Sequence, residues 1–168
     1  MTRRDMAIRH LILILLALTA APEAARADLV DDCRFAKDPG FRIERCTVAL
    51  ESGEWTADKL GWAYVNRGAA FDDLHQHERA LEDYTVALRL DRDDPDALFN
   101  RANTYCEMNR SKDAVTSYLG AVLRSERISR RLQTFLQGHG DYTGPIDGDF
   151  GRGSRAALLV WADRECTR

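Results

Sequence analysis

The residues able to do chemistry are few and scattered. His75 and His77 stand one residue apart, His139 precedes a glycine-rich stretch, and cysteines occupy positions 33, 46, 106 and 166. The glycine-rich stretch, Gly144 to Ala157, reads GPIDGDFGRGSRAA. A loop of this kind running into a helix can cradle phosphate, hold a cation or turn the chain. A phosphate loop needs Gly-Lys-Ser or Gly-Lys-Thr, which is absent. A calcium loop needs more oxygen ligands at regular spacing, closing on a Glu. Asp147 therefore reads as a turn cap rather than a catalytic acid, and Ile146 and Phe150 as apolar plugs between polar neighbours. His75 and His77 can hold a metal weakly, but their place between two helices reads as a solvated turn. His139 has no second His or Glu at ligand spacing. No Cys-x-x-Cys pair suggests zinc or redox chemistry, and no Ser sits in a nucleophile elbow. The expectation is a chain with no catalytic residues, no metal and no cofactor.

The chain that must position these residues has 168 of them, enough for one domain or two small ones. It is 45% hydrophobic and 30% charged, with a formal net charge of -3 and a pI near 5.8. That balance gives no electrostatic case for nucleic acid. The opening carries Arg3, Arg4 and Arg9, then the apolar run LILILLALTA, then Ala25-Arg26-Ala27. A basic start, an apolar core too short to span a bilayer comfortably and a small-x-small site predict a secretory signal peptide over residues 1–27. Its removal leaves an exported, periplasmic or secreted protein with no membrane contact.

An even number of cysteines in an exported chain argues for disulfides. Four cysteines allow three connectivities, and spacing alone does not choose. Cys33 and Cys46 are close in sequence and flank one predicted helix turn, so they are expected to pair, closing a short loop worth roughly 3 kcal/mol. Cys106 and Cys166 then either bond, fastening the chain's end to its middle, or stay as thiols.

The helices are legible as a repeat. Asn66, Arg67, Gly68, Phe71, Ala80, Tyr84 and Ala87 recur as Asn100, Arg101, Ala102, Tyr105, Ala114, Tyr118 and Ala121, each pair 34 residues apart. Small residues let paired helices approach, and aromatics fill the space beside them. This pattern resembles the tetratricopeptide repeat. Asp94 is expected to cap the helix that Pro95 opens, and Ser111 the next, with Asp113 in its first turn. The region is read as 28–125: an atypical first helix pair over 28–55, shortened by Lys37 to Gly40, then repeats over 56–92, starting near Thr56, and 93–125. Such a solenoid has a concave face. Trp62, Val65 and Asp72 of one repeat, and Phe99 and Asn103 of the next, are expected to form its protein-binding groove, with Ala69 and Cys106 beside them. Asn66 and Asn100 are expected to bond between helices.

Residues 126–168 follow a different pattern. Leu132, Gln133 and Leu136, then Gly140, Tyr142, Gly144, Ile146, Asp147, Gly148, Phe150 and Gly151, then Ser154, Ala157, Leu158 and Trp161, resemble the small peptidoglycan-binding domain found beside bacterial cell-wall hydrolases. Trp161-Ala162 departs from the family's Phe-Gln. The resemblance implies an all-α architecture: a short tetratricopeptide solenoid followed by a small three-helix domain. It also implies peptidoglycan as a ligand, with Tyr142, Asp147, Asp149, Arg152 and Arg155 as its contacts. Aromatic faces stack on sugars and Arg forks carboxylates. The expected function is a non-catalytic adaptor binding peptidoglycan and a protein partner, with no nucleic acid. The alternatives are a pure protein-interaction module and, less favoured, a hydrolase accessory with a cryptic site.

Overall fold

The computed structural model describes residues 23–167, so most of the expected signal peptide lies outside the described residues. Eight α-helices run through the described part: α1 (Glu23–Phe35), α2 (Pro39–Glu51), α3 (Gly61–Asp73), α4 (His77–Leu90), α5 (Pro95–Glu107), α6 (Ser111–Val122), α7 (Glu126–Gly138) and α8 (Arg152–Glu165). No strand occurs among the described residues. No helix there is long and apolar enough to cross a membrane. Ala25, Arg26 and Ala27 lie in the first turns of α1, where Arg26 pairs with Glu54 at 2.9 Å.

The period seen in the sequence is the period of the helices. α3 and α5 start and stop 34 residues apart, at Gly61 and Pro95 and at Asp73 and Glu107. Each packs against the helix that follows it. Ala80, Tyr84 and Ala87 of α4 are buried, as are Ala114, Tyr118 and Ala121 of α6. Gly68 lies so close to its neighbour that a Cβ there would stand 2.7 Å from the Tyr84 ring, which explains a residue without a side chain at this crossing. Arg67 donates twice to Asp83 of α4, at 2.8 and 2.9 Å, and once to Thr47 of α2, at 3.2 Å, tying the first helix pair to the first repeat. The Asp83 hydrogen bond raises the Arg67 pKa further above its ordinary value.

Helix ends follow the local chemistry with two corrections. Asp38 accepts from the Phe41 amide ahead of Pro39, and Asp94 accepts from the Asp96 and Ala97 amides around Pro95. The first repeat helix does not begin near Thr56. Thr56 precedes a 3-10 turn over Ala57–Lys59, and the α-helix starts at Gly61. Ser111 is not a cap either: it is already inside α6, and the preceding Arg110 supplies no side-chain cap. Arg110 instead pairs with Asp113 in the first turn, at 2.8 Å.

The closing segment has two helices of its own, not three. α7 buries Ile128, Leu132 and Leu136, spaced by four, and α8 buries Ala157, Leu158, Trp161 and Ala162. The third helix against which both pack is α6, the last helix of the repeats. One apolar cluster accordingly runs from Leu98 to Cys166, across residue 126, with no break between repeat and closing segment. Trp161 sits edge-on to Tyr118 of α6 and Phe135 of α7, with ring centres 6.0 and 5.0 Å apart. Smaller clusters serve the first half, one built on Leu29, Cys33, Cys46, Ala49 and Ala63.

Candidate functional site

Two clefts share Asn100 of α5, one among α1, α3, α5 and α7 and the other between α3 and α5 beside the turn into α4. The first is lined by Arg34, Phe35, Trp62, Val65, Asn66, Asp94, Asp96, Asn100 and Arg131. Arg34 stacks over Trp62 at 5.1 Å, and Arg131 of α7 over Phe99 at 4.7 Å. Neither guanidinium has an ion-pair partner among the described residues. Phe35, 72% exposed, stands at the rim. The second cleft is lined by Ala69, Asp72, Asp73, His75, Tyr84, Asn100, Asn103 and Glu107. Burial holds the Tyr84 phenol well above its ordinary pKa.

The expected groove residues divide between these clefts. Trp62 and Val65 line the first, and Asp72 and Asn103 the second. Phe99 does not line either; it is buried beneath Arg131 and edge-on to Tyr118. Asn66 does not bond between helices: its amide donates to the Trp62 carbonyl one turn back, at 2.7 Å. Asn103 accepts from the Tyr118 hydroxyl at 2.5 Å. Arg34 and Arg131 were not singled out from the sequence. Each lies outside the repeated unit, and only the packing of α1 and α7 brings them to the cleft.

The glycine-rich loop between α7 and α8 is organised by one buried amide. Gln133, with no exposed surface, donates to the Asp147 carboxylate and the Asp149 carbonyl, both at 3.0 Å, and lies 3.3 Å from the Ser154 hydroxyl. Its oxygen accepts from the Gly148 amide at 2.9 Å. Gly148 has a φ of +84° and leaves no space for a Cβ against the Glu126 side chain, so only glycine fits. Asp147 also accepts from the Asp149 amide, and these bonds, the Gln133 one first, hold its carboxyl below the ordinary range. Asp141 is held low in the same way by Arg164, which forks it at 2.8 and 2.9 Å.

Of the residues expected to touch wall material, Tyr142 is the one the structure moves inward. It is 9% exposed, and its hydroxyl donates to the Pro145 carbonyl at 2.9 Å. A phenol can close a tight loop by bonding its own backbone, which leaves no ring face for a sugar. Asp147 is occupied with the turn. Asp149, Arg152 and Arg155 are exposed, and Arg155 spends one donor on the Phe150 carbonyl at 3.1 Å.

The four cysteines form two bonds. Cys33 joins Cys46, with Cα atoms 4.8 Å apart, between α1 and α2. Cys106 joins Cys166, with Cα atoms 4.4 Å apart, fixing the end of α8 to α5. Cys166 is fully buried there. The turn histidines are not simply solvated: His77 is 19% exposed and bonded to Asp72.

The described residues form an all-α arrangement of repeated helix pairs with open clefts between them. Residues 84–116, from the middle of α4 through the first half of α6, match the family model of the tetratricopeptide repeat, a unit whose role is protein interaction.

Proposed function

We propose that this chain is an exported, non-catalytic adaptor that docks a protein partner on its repeats and holds peptidoglycan with its closing segment. The observation that carries the docking half is the first cleft. Two guanidiniums stacked on aromatic rings, without an ion pair among the described residues, flank Asn66 and Asn100, with the exposed Phe35 at the rim. Such a cleft suits an extended peptide that offers a carboxylate to Arg34 or Arg131 and an apolar side chain to Phe35. Replacing Arg34 and Arg131 with Ala together should abolish capture of a partner from periplasmic extract. Undiminished capture would place docking elsewhere.

The wall-binding half rests on the motif match and on Arg152 and Arg155, which extend from the first turn of α8 beside the loop that Gln133 organises. Acidic peptide stems are suitable partners for them. Co-sedimentation with purified sacculi tests it. The wild-type chain should pellet, and Arg152→Ala with Arg155→Ala should stay in the supernatant. A wild-type chain that never pellets would leave the second reading, a pure interaction module. One observation favours that reading: Tyr142 and Asp147, central to the motif, are both committed to holding the loop. Export rests on the basic and apolar opening of the sequence.

A further inference from the structure

The second cleft contains a constellation that the docking role does not use. His75 and Glu107 line it, His77 stands beside them, and one ligand atom from each of the three lies within 4.8 Å of the other two. We propose that they form a binding site for a divalent transition-metal ion of the Zn2+ class, with Asp72 as the group that orients His77.

The geometry is close to that of a metal site before closure. His77 Nε2 and Glu107 Oε2 are 3.7 Å apart. Two ligands at bonds of ~2.0–2.1 Å on a tetrahedral ion stand ~3.4 Å apart. Small side-chain rotations of the exposed His75 and Glu107 supply the remaining closure. His77 is already set. Its Nδ1 faces Asp72 Oδ1 at 2.8 Å, and the other oxygen of Asp72 accepts from the buried Thr104 hydroxyl. A carboxylate on Nδ1 holds the proton there and leaves the Nε2 lone pair directed at Glu107, the arrangement in which ligating imidazoles are commonly fixed.

The repeat makes the two histidines conspicuous. His75 has a φ of +56°, and the corresponding residue of the second repeat, Asn109, has a φ of +59°. That turn favours Gly or Asn. His77 corresponds to Ser111, the residue that opens α6. The fold therefore asks for neither imidazole. Glu107 comes from the end of α5, so an ion here would join the turn of one repeat to the first helix of the next. Two imidazoles and one carboxylate suit Zn2+, Ni2+ or Cu2+ rather than Mg2+ or Ca2+. Three protein ligands facing an open cleft leave a coordination position for water or a donor from a partner.

The test is calorimetric titration of Zn2+ into the tag-free, oxidised chain after EDTA treatment, with Co2+ absorption reporting coordination. One ion per chain should bind. His75→Asn and His77→Ser restore the residues of the second repeat, so the turn keeps a sequence it already folds with. The pair should weaken binding at least tenfold with an unchanged helical spectrum. Asp72→Asn should weaken it about 10- to 100-fold, and His139→Ala should leave it unchanged. No saturable binding to the wild type, or equal binding to the His75→Asn, His77→Ser variant, would overturn the site.

Discussion

Gln133 shows how one side chain can carry a loop. Its amide serves the Asp147 carboxylate, the Asp149 carbonyl and the Gly148 amide from a position without solvent. Gln133→Ala would remove these bonds to part-exposed partners, and a hydrogen bond of this kind contributes about 0.5–1.5 kcal/mol net. The expected loss is about 3 kcal/mol of unfolding free energy, measured by urea titration, with faster amide exchange at Gly148. A loss below about 1 kcal/mol would mean that water replaces the amide freely. The same residue scale explains Tyr142. An aromatic in a glycine-rich loop is equally suited to stacking on a ligand or to closing the loop, and the distance to the Pro145 carbonyl decides for closure.

At the scale of elements, the first helix pair depends on its covalent link. α1 and α2 lack the repeated small and aromatic pattern, and their cluster is small. The Cys33–Cys46 bond contributes roughly 3 kcal/mol by restricting the unfolded chain. Cys33→Ala with Cys46→Ala should therefore raise amide exchange through α1 and α2 while leaving α5 to α8 protected. The second bond spans 60 residues and contributes about 4 kcal/mol in the same account. Removing it should lower the melting temperature and expose α8 to limited proteolysis. Equal protease resistance with and without the bond would show that the shared apolar cluster suffices to hold α8.

For the whole molecule, the closing segment is a continuation of the solenoid rather than a separate bead. Its core continues that of the second repeat, and two depressed carboxyls, Asp141 and Asp147, hold its loop. Both pKa values lie below 3.8 in the folded chain. Their stabilisation is thus complete above the unfolded value and is lost as pH falls through the folded one. Melting temperatures between pH 7 and pH 3 should fall at the acid end. The decline should be shallower in Asp141→Asn with Asp147→Asn, which starts lower at neutral pH. Parallel curves would assign acid sensitivity to other carboxylates. The expected cleavage also belongs at this scale: the exported protein should begin at Asp28. A mature form that retains residues 11–20 would contradict it.

The sequence by itself determined the helical class, the 34-residue period and the cap at Asp94, because these depend on residues near one another along the chain. It misplaced the start of α3 and the cap of α6, where a 3-10 turn and a side-chain pair replaced the expected local bonds. Only the tertiary structure decided which groups face the clefts. Arg131 reaches the first cleft because α7 packs on the end of the repeats, and Glu107 reaches the histidine turn because α5 lies beside α3. Residues 32 and 30 positions apart, as Glu107 is from His75 and His77, acquire a common chemistry only when helix packing brings them within reach. No local pattern of residue types records that distance.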